Sequence, residues 1–183
     1  AGHPVTLRPL PYARCMAMVD SGALAGCFNT SRDRSLDPHY AWHAQPLFRA
    51  RILIFSPAAA ATPTGVAGLA GRRVALTNGY TYGDEVDLDP GIRRQWVSGD
   101  LAALRMLAAG RVDHALVFEA VAADLIRNHP GELAGRIRAT GLVREMDLYL
   151  SFSLKHPDAA AARAALDRGL ALIARDGTRA RID

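Results

Sequence analysis

At 183 residues, half of them hydrophobic, the chain can bury a substantial core as one domain or two small lobes without help from metals or disulfides. Charged residues make up 22% and the formal net charge is +4, but the arginines are scattered from Arg8 to Arg181, so no basic stripe marks a nucleic-acid partner. No stretch approaches the roughly 20 uninterrupted apolar residues of a membrane span, so direct membrane insertion is not expected, and any secretory leader is expected to have been removed ahead of Ala1.

Val5 to Leu7 is a short β-prone run ended by Pro9 and Pro11. From Tyr12, the apolar residues Met16, Met18 and Val19 predict a short helix stopped at Ser21-Gly22, and Leu24 to Phe28 predicts a strand. Cys15 falls on that helix and Cys27 on the strand folding back along it. The two either pair, in an exported chain, or stand as small buried hydrophobes. Asn29 to His39 is polar and turn-rich; Arg51 to Phe55 is a strongly apolar strand that breaks into Ser56 to Thr64, read as a crossing between lobes.

A second β–α–β series begins with a strand at Arg73 to Leu76, followed by the loop Asn78 to Gly83 with helix-start chemistry after it. Trp96-Val97 is a short strand, Ser98-Gly99-Asp100 stands where a helix cap belongs, and Leu101, Leu104 and Leu107 form one apolar helix face that ends at Gly110. Val112 to Phe118 predicts a strand leading into a helix from about Ala120 to Asn128, closed by His129-Pro130. Leu148 to Leu154 alternates as a returning strand. Pro157-Asp158 then opens a long helix with the stripe Ala162, Leu166, Leu170 and Ile173, terminated at Asp176-Gly177. Strands alternating with helices over short connections argue for an α/β fold of mainly parallel sheets flanked by helices.

Several groups have binding chemistry. The loop Gly79-Tyr80-Thr81 precedes a helix, whose unpaired amides suit an anion such as a carboxylate. Arg32 and Arg34 follow the strand ending at Phe28. A guanidinium there either clamps a carboxylate or stays solvated, paired with Asp33 or Asp37. Tyr40, Trp42, Tyr80, Tyr82, Trp96 and Phe118 are candidate pocket walls or core. Glu119, beside Phe118, reads either as a buried acid or as a helix-start glutamate favoured by the dipole. His39 and His43 are four apart, but Pro38 and Trp42 disturb a helical reading and no second ligand pair accompanies them, so no metal site is expected. No Gly-x-Ser-x-Gly elbow, phosphate loop or Cys–His motif is present; neither catalytic residues nor a cofactor are expected.

Taken in order, Leu10 to Arg14, Asp20 to Gly26, Pro46 to Phe48, Leu69 to Ala75, Leu104 to Asp113 and Ala174 to Thr178 resemble the family 3 extracellular solute-binding proteins, the polar amino-acid receptors of ABC importers with the type II periplasmic binding fold. The resemblance implies a two-lobed protein. Lobe one comprises residues 1–55 plus 150–183, lobe two residues 56–149, and two hinge strands join them. By position, Asn29, Thr30 and Arg34, or Arg32, look like lobe-one contacts to a ligand carboxylate, and Gly79, Tyr80 and Thr81 like the lobe-two loop completing that seat. Where the family commonly carries an Asp for the ligand's amino group, this chain has Phe118 with Glu119 beside it. The family's opening strand and helix have no counterpart ahead of Val5, so lobe one is expected to be N-terminally incomplete.

The function expected is that of a periplasmic receptor closing on a small polar solute, performing no chemistry on it and passing it to a membrane permease. A sensory input domain and a cyclohexadienyl dehydratase-like enzyme with Glu119 as its acid are the alternatives on the same fold.

Overall fold

The helix expected from Tyr12 forms as α1 (Tyr12–Asp20), burying Met16 and Val19. The computed structural model describes residues 4–32, 34–60 and 65–182, the side chains of Arg34 and Ile182 excepted. The chain divides into two compact units, residues 1–49 with 147–183, and residues 50–146. It passes from one to the other inside two strands, β3 (Phe48–Pro57) and β7 (Ile137–Ser153).

In the first unit, β1 (Gly26–Ser31) and the short β2 (Tyr40–Trp42) both pair with β7 in antiparallel fashion. The parallel arrangement expected in this unit is therefore not what its described strands form; β7 runs back against each of them. Met16 and Val19 pack on Cys27 and Tyr40, and a Cys15–Cys27 disulfide fastens α1 to β1 with 5.9 Å between the Cα atoms. The 17-residue α6 (Ala159–Arg175) buries Ala159, Ala165 and Leu170, and a short α7 (Arg179–Ile182) follows it. Ala162 of the expected stripe is exposed. An Asp167 carboxylate oxygen accepts the Ala44 amide at 2.8 Å, and Arg179 donates to the Pro46 and Leu47 carbonyls.

Val5 to Leu7 forms no strand. Val5 is 72% and Leu7 69% exposed: β-prone residues without a partner strand have nothing to pair with or pack on.

The second unit is built as the periodicity indicates. β4 (Arg73–Thr77) lies between β5 (Arg93–Val97) and β6 (His114–Phe118), parallel to both, and β6 pairs antiparallel with β3. Helix α2 (Asp84–Asp87) follows the loop after β4, α3 (Asp100–Ala108) joins β5 to β6, and α4 (Glu119–Asn128) and α5 (Pro130–Leu133) lead into β7. Alternation puts Leu53, Phe55, Ala75, Ala115 and Val117 on one sheet face, packed with Leu104, Leu107, Ala122 and Leu133 of the helices. Ile52, Ile54, Val74, Leu76 and Leu116 are buried on the other. A sheet covered on both faces accounts for the unbroken apolar runs read in the sequence. Each fully buried leucine contributes roughly 2 to 3 kcal/mol.

Candidate functional site

In the second unit the parallel strands β4, β5 and β6 end at Thr77, Val97 and Phe118, and the carboxyl ends of such strands are where α/β sheets place ligands. The loop after β4 is shaped by two glycines in the left-handed region, Gly79 (φ 83°) and Gly83 (φ 100°). A Cβ on Gly83 would lie 2.7 Å from Nη1 of Arg144. Between them Thr81 is exposed, Tyr80 half-buried and Tyr82 buried. The Tyr82 hydroxyl accepts the Thr77 amide at 2.8 Å, and burial pushes its pKa well above the ordinary value. The Tyr80 ring meets Phe118 edge-on, centroids 5.8 Å apart.

The helix cap falls where it was expected, within Ser98-Gly99-Asp100. Gly99 occupies the cap position, and the Asp100 carboxylate accepts the Thr77 hydroxyl at 2.8 Å and the Tyr80 hydroxyl at 3.3 Å. Burial raises its pKa; the bonds from Thr77 and Tyr80 oppose the rise. Nothing in the sequence analysis singled out Asp100 for these contacts. A carboxylate at the first turn of a helix right after a strand was the only signal available.

Glu119 is not a buried acid. Its side chain is 47% exposed, and Nη1 of Arg51 donates to both carboxylate oxygens at 3.1 Å, while Nε of Arg51 lies 3.4 Å from Glu145. An open hollow of about 560 Å³ borders Arg51 and Glu119, with Leu53, Arg138, Thr140 and Leu142 also lining it.

In the first unit, Asn29 is the one non-glycine with positive φ (62°) among the described residues, exposed at an irregularity in the β1–β7 register between Cys27 and Thr30. Thr30 is fully buried, its hydroxyl donating to the Cys27 carbonyl and lying 3.1 Å from the Ser151 hydroxyl, so it supports the strand from within. Arg32 pairs with Asp37 at 3.2 Å, and its guanidinium lies 5.9 Å from the Trp42 ring centre. Trp42 is half-buried, edge-on to Tyr40 and to Tyr149, the latter an aromatic wall that sequence reasoning left inside a strand. The side chain of Arg34, and Asp33 as its expected partner, lie outside the described residues. His39 and His43 do not converge. His39 faces Asp20 at 3.5 Å, and His43 is buried with its Nε2 accepting the Leu150 amide.

Asn29, Arg32 and Trp42 thus gather in one unit, and Gly79, Tyr80, Thr81 and Phe118 in the other. No model of a known protein family matches the chain, and no curated protein matches it. Solved structures do. An ancestral arginine-binding protein bound to arginine superimposes with a TM-score of 0.80 at 17% identity, over 96% of this chain and 76% of that one. A mutant of the arginine-binding protein of T. maritima gives 0.80 at 15% identity, over 95% and 73%. A histidine kinase sensor domain with similarity to periplasmic binding proteins gives 0.81 at 19%, over 94% and 73%. The fold is that of the type II periplasmic binding proteins. At these identities the likeness establishes the type II periplasmic binding fold alone, and at that level it agrees with the resemblance read in the sequence. Among the described residues no helix is long and apolar enough to cross a membrane.

Proposed function

We propose that the chain is an exported, periplasmic solute-binding receptor. Its two units act as lobes that close on a small, polar, amino-acid-like solute bearing a carboxylate. β3 and β7 serve as hinge strands, and closure is read by the membrane permease of an ABC importer. The receptor performs no chemistry on its ligand. The observation that carries this reading is the set Gly79, Tyr80, Thr81 and Phe118 at the carboxyl ends of β4 and β6, in a fold shared with an ancestral arginine-binding protein bound to arginine and to glutamine. The arginines beside Asn29 in the other unit supply the matching cation for a ligand carboxylate. The Cys15–Cys27 disulfide supports an oxidising compartment.

A second reading, the ligand-sensing input domain of a signalling protein, draws support from the sensor domain that superimposes at 0.81. It keeps the same ligand site and differs only in what reads the closure. A dehydratase-like enzyme is disfavoured because the acid it would use, Glu119, is held by Arg51.

Thermal melts across amino acids, organic acids and polyamines test the proposal. A true ligand at about 100 times its Kd stabilises by about 2.7 kcal/mol, which raises Tm by roughly 5 to 10 °C in a chain of this size. Melting that stays put across the whole panel contradicts it.

A further inference from the structure

Asp100 is a half-buried carboxylate whose partners among the described residues are two neutral hydroxyls, from Thr77 and Tyr80. It stands at the carboxyl end of the parallel strands, beside the Tyr80–Phe118 ring pair. A desolvated carboxylate without a cation is costly, and hydroxyl donors offset only part of that cost. The dipole of α3 favours a carboxylate at its first residue, yet the carboxylate is bonded to the loop and to the strand end.

We infer that Asp100, with the rings of Tyr80 and Phe118, determines specificity in the second unit by seating a positively charged side-chain end of the ligand, an ammonium or guanidinium other than its α-amino group. This deepens the receptor reading and rests on it. Two physical effects converge. A cation gives Asp100 the counter-charge it lacks, and aromatic rings at an edge-on angle offer a face to an organic cation. A ligand carboxylate placed on Gly79 to Thr81 would instead meet a like charge through Tyr80, so the carboxylate belongs with the arginine-bearing unit.

Calorimetric titrations with two isosteric pairs test this: arginine against citrulline, and lysine against 2-aminoheptanoate. The cationic member of at least one pair binds the wild type about tenfold or more tightly than its neutral isostere, and Asp100→Asn narrows the gap to within about threefold. Asp100→Glu, which keeps the charge, retains the preference, and far-UV spectra and melts establish that each variant is folded. Equal affinity within both pairs, an unchanged ratio in Asp100→Asn, or binding confined to ligands without a side-chain cation overturns the assignment while leaving the receptor reading intact. Failure of every compound in the thermal panel overturns both.

Discussion

The Nε2 atom of His43 accepts the backbone amide of Leu150 at 2.9 Å within the first unit, which requires the neutral ring with its proton on Nδ1. The imidazole is buried against Tyr149 (5.3 Å) and Phe152 (6.4 Å), and burial pushes its pKa below the ordinary 6.5, against the Gln45 backbone and the Asp167 charge. His114 in the second unit behaves alike, its Nδ1 lying 2.8 Å from the Ser56 hydroxyl and its pKa lowered by burial.

Both histidines bind a proton less readily folded than unfolded. Their neutral state is therefore free of penalty above pH 6.5, and stability falls as pH drops through that value towards the lower folded ones. Urea melts at a series of pH values between about 7.5 and 5.5 are expected to show this decline. His43→Gln, whose carbonyl can still accept the Leu150 amide, gives a shallower one. A flat profile in the wild type, or an equal slope in the variant, would falsify this role.

The disulfide closes a loop between residues 12 positions apart. Cross-links of that span stabilise by roughly 3 kcal/mol, mainly by restricting the unfolded chain. Reductant is therefore expected to lower the urea midpoint by a corresponding amount, and Cys15→Ala/Cys27→Ala to melt like the reduced wild type with no further response to reductant. Identical melts with and without reductant would rule the cross-link out.

Asn29 holds a left-handed backbone in the middle of a strand edge, a conformation that costs ordinary residues about 1 to 2 kcal/mol and glycine almost nothing. Asn29→Gly is expected to keep the wild-type stability within a few tenths of a kcal/mol, while Asn29→Val loses about 1 to 2 kcal/mol. If the two variants melt together, the irregularity in β1 does not depend on this residue.

The second unit was readable because its strands are covered on both faces and its helix α3 on one, so apolar runs and helical spacing coincide with the elements that form. β7 was read only from Leu148 onward. Its first ten residues carry Arg138, Gly141, Arg144 and Glu145, and only Ile137 and Met146 among them are buried, so they are strand by virtue of pairing and leave no pattern in the composition. β2 was hidden for the same reason: three residues, Tyr40 to Trp42, become a strand because β7 runs beside them. Among the candidate site residues, Tyr80, Phe118 and Trp42 were singled out for their aromatic rings. Thr30 was misjudged because nothing local distinguishes a hydroxyl turned into the core from one turned outward. The bond between Asp100 and Tyr80 was not foreseen because the two residues lie 20 positions apart, beyond any local pattern.

The central claim is that the two units hold one small molecule together. Amide chemical shifts recorded by two-dimensional NMR during titration with the tightest binder from the thermal panel test it most directly. The account predicts that signals of Asn29, Arg32 and Trp42 move together with those of Gly79, Tyr80 and Thr81, all with the same half-saturating concentration. Shifts confined to one of these sets, or two sets that saturate at different concentrations, would contradict it.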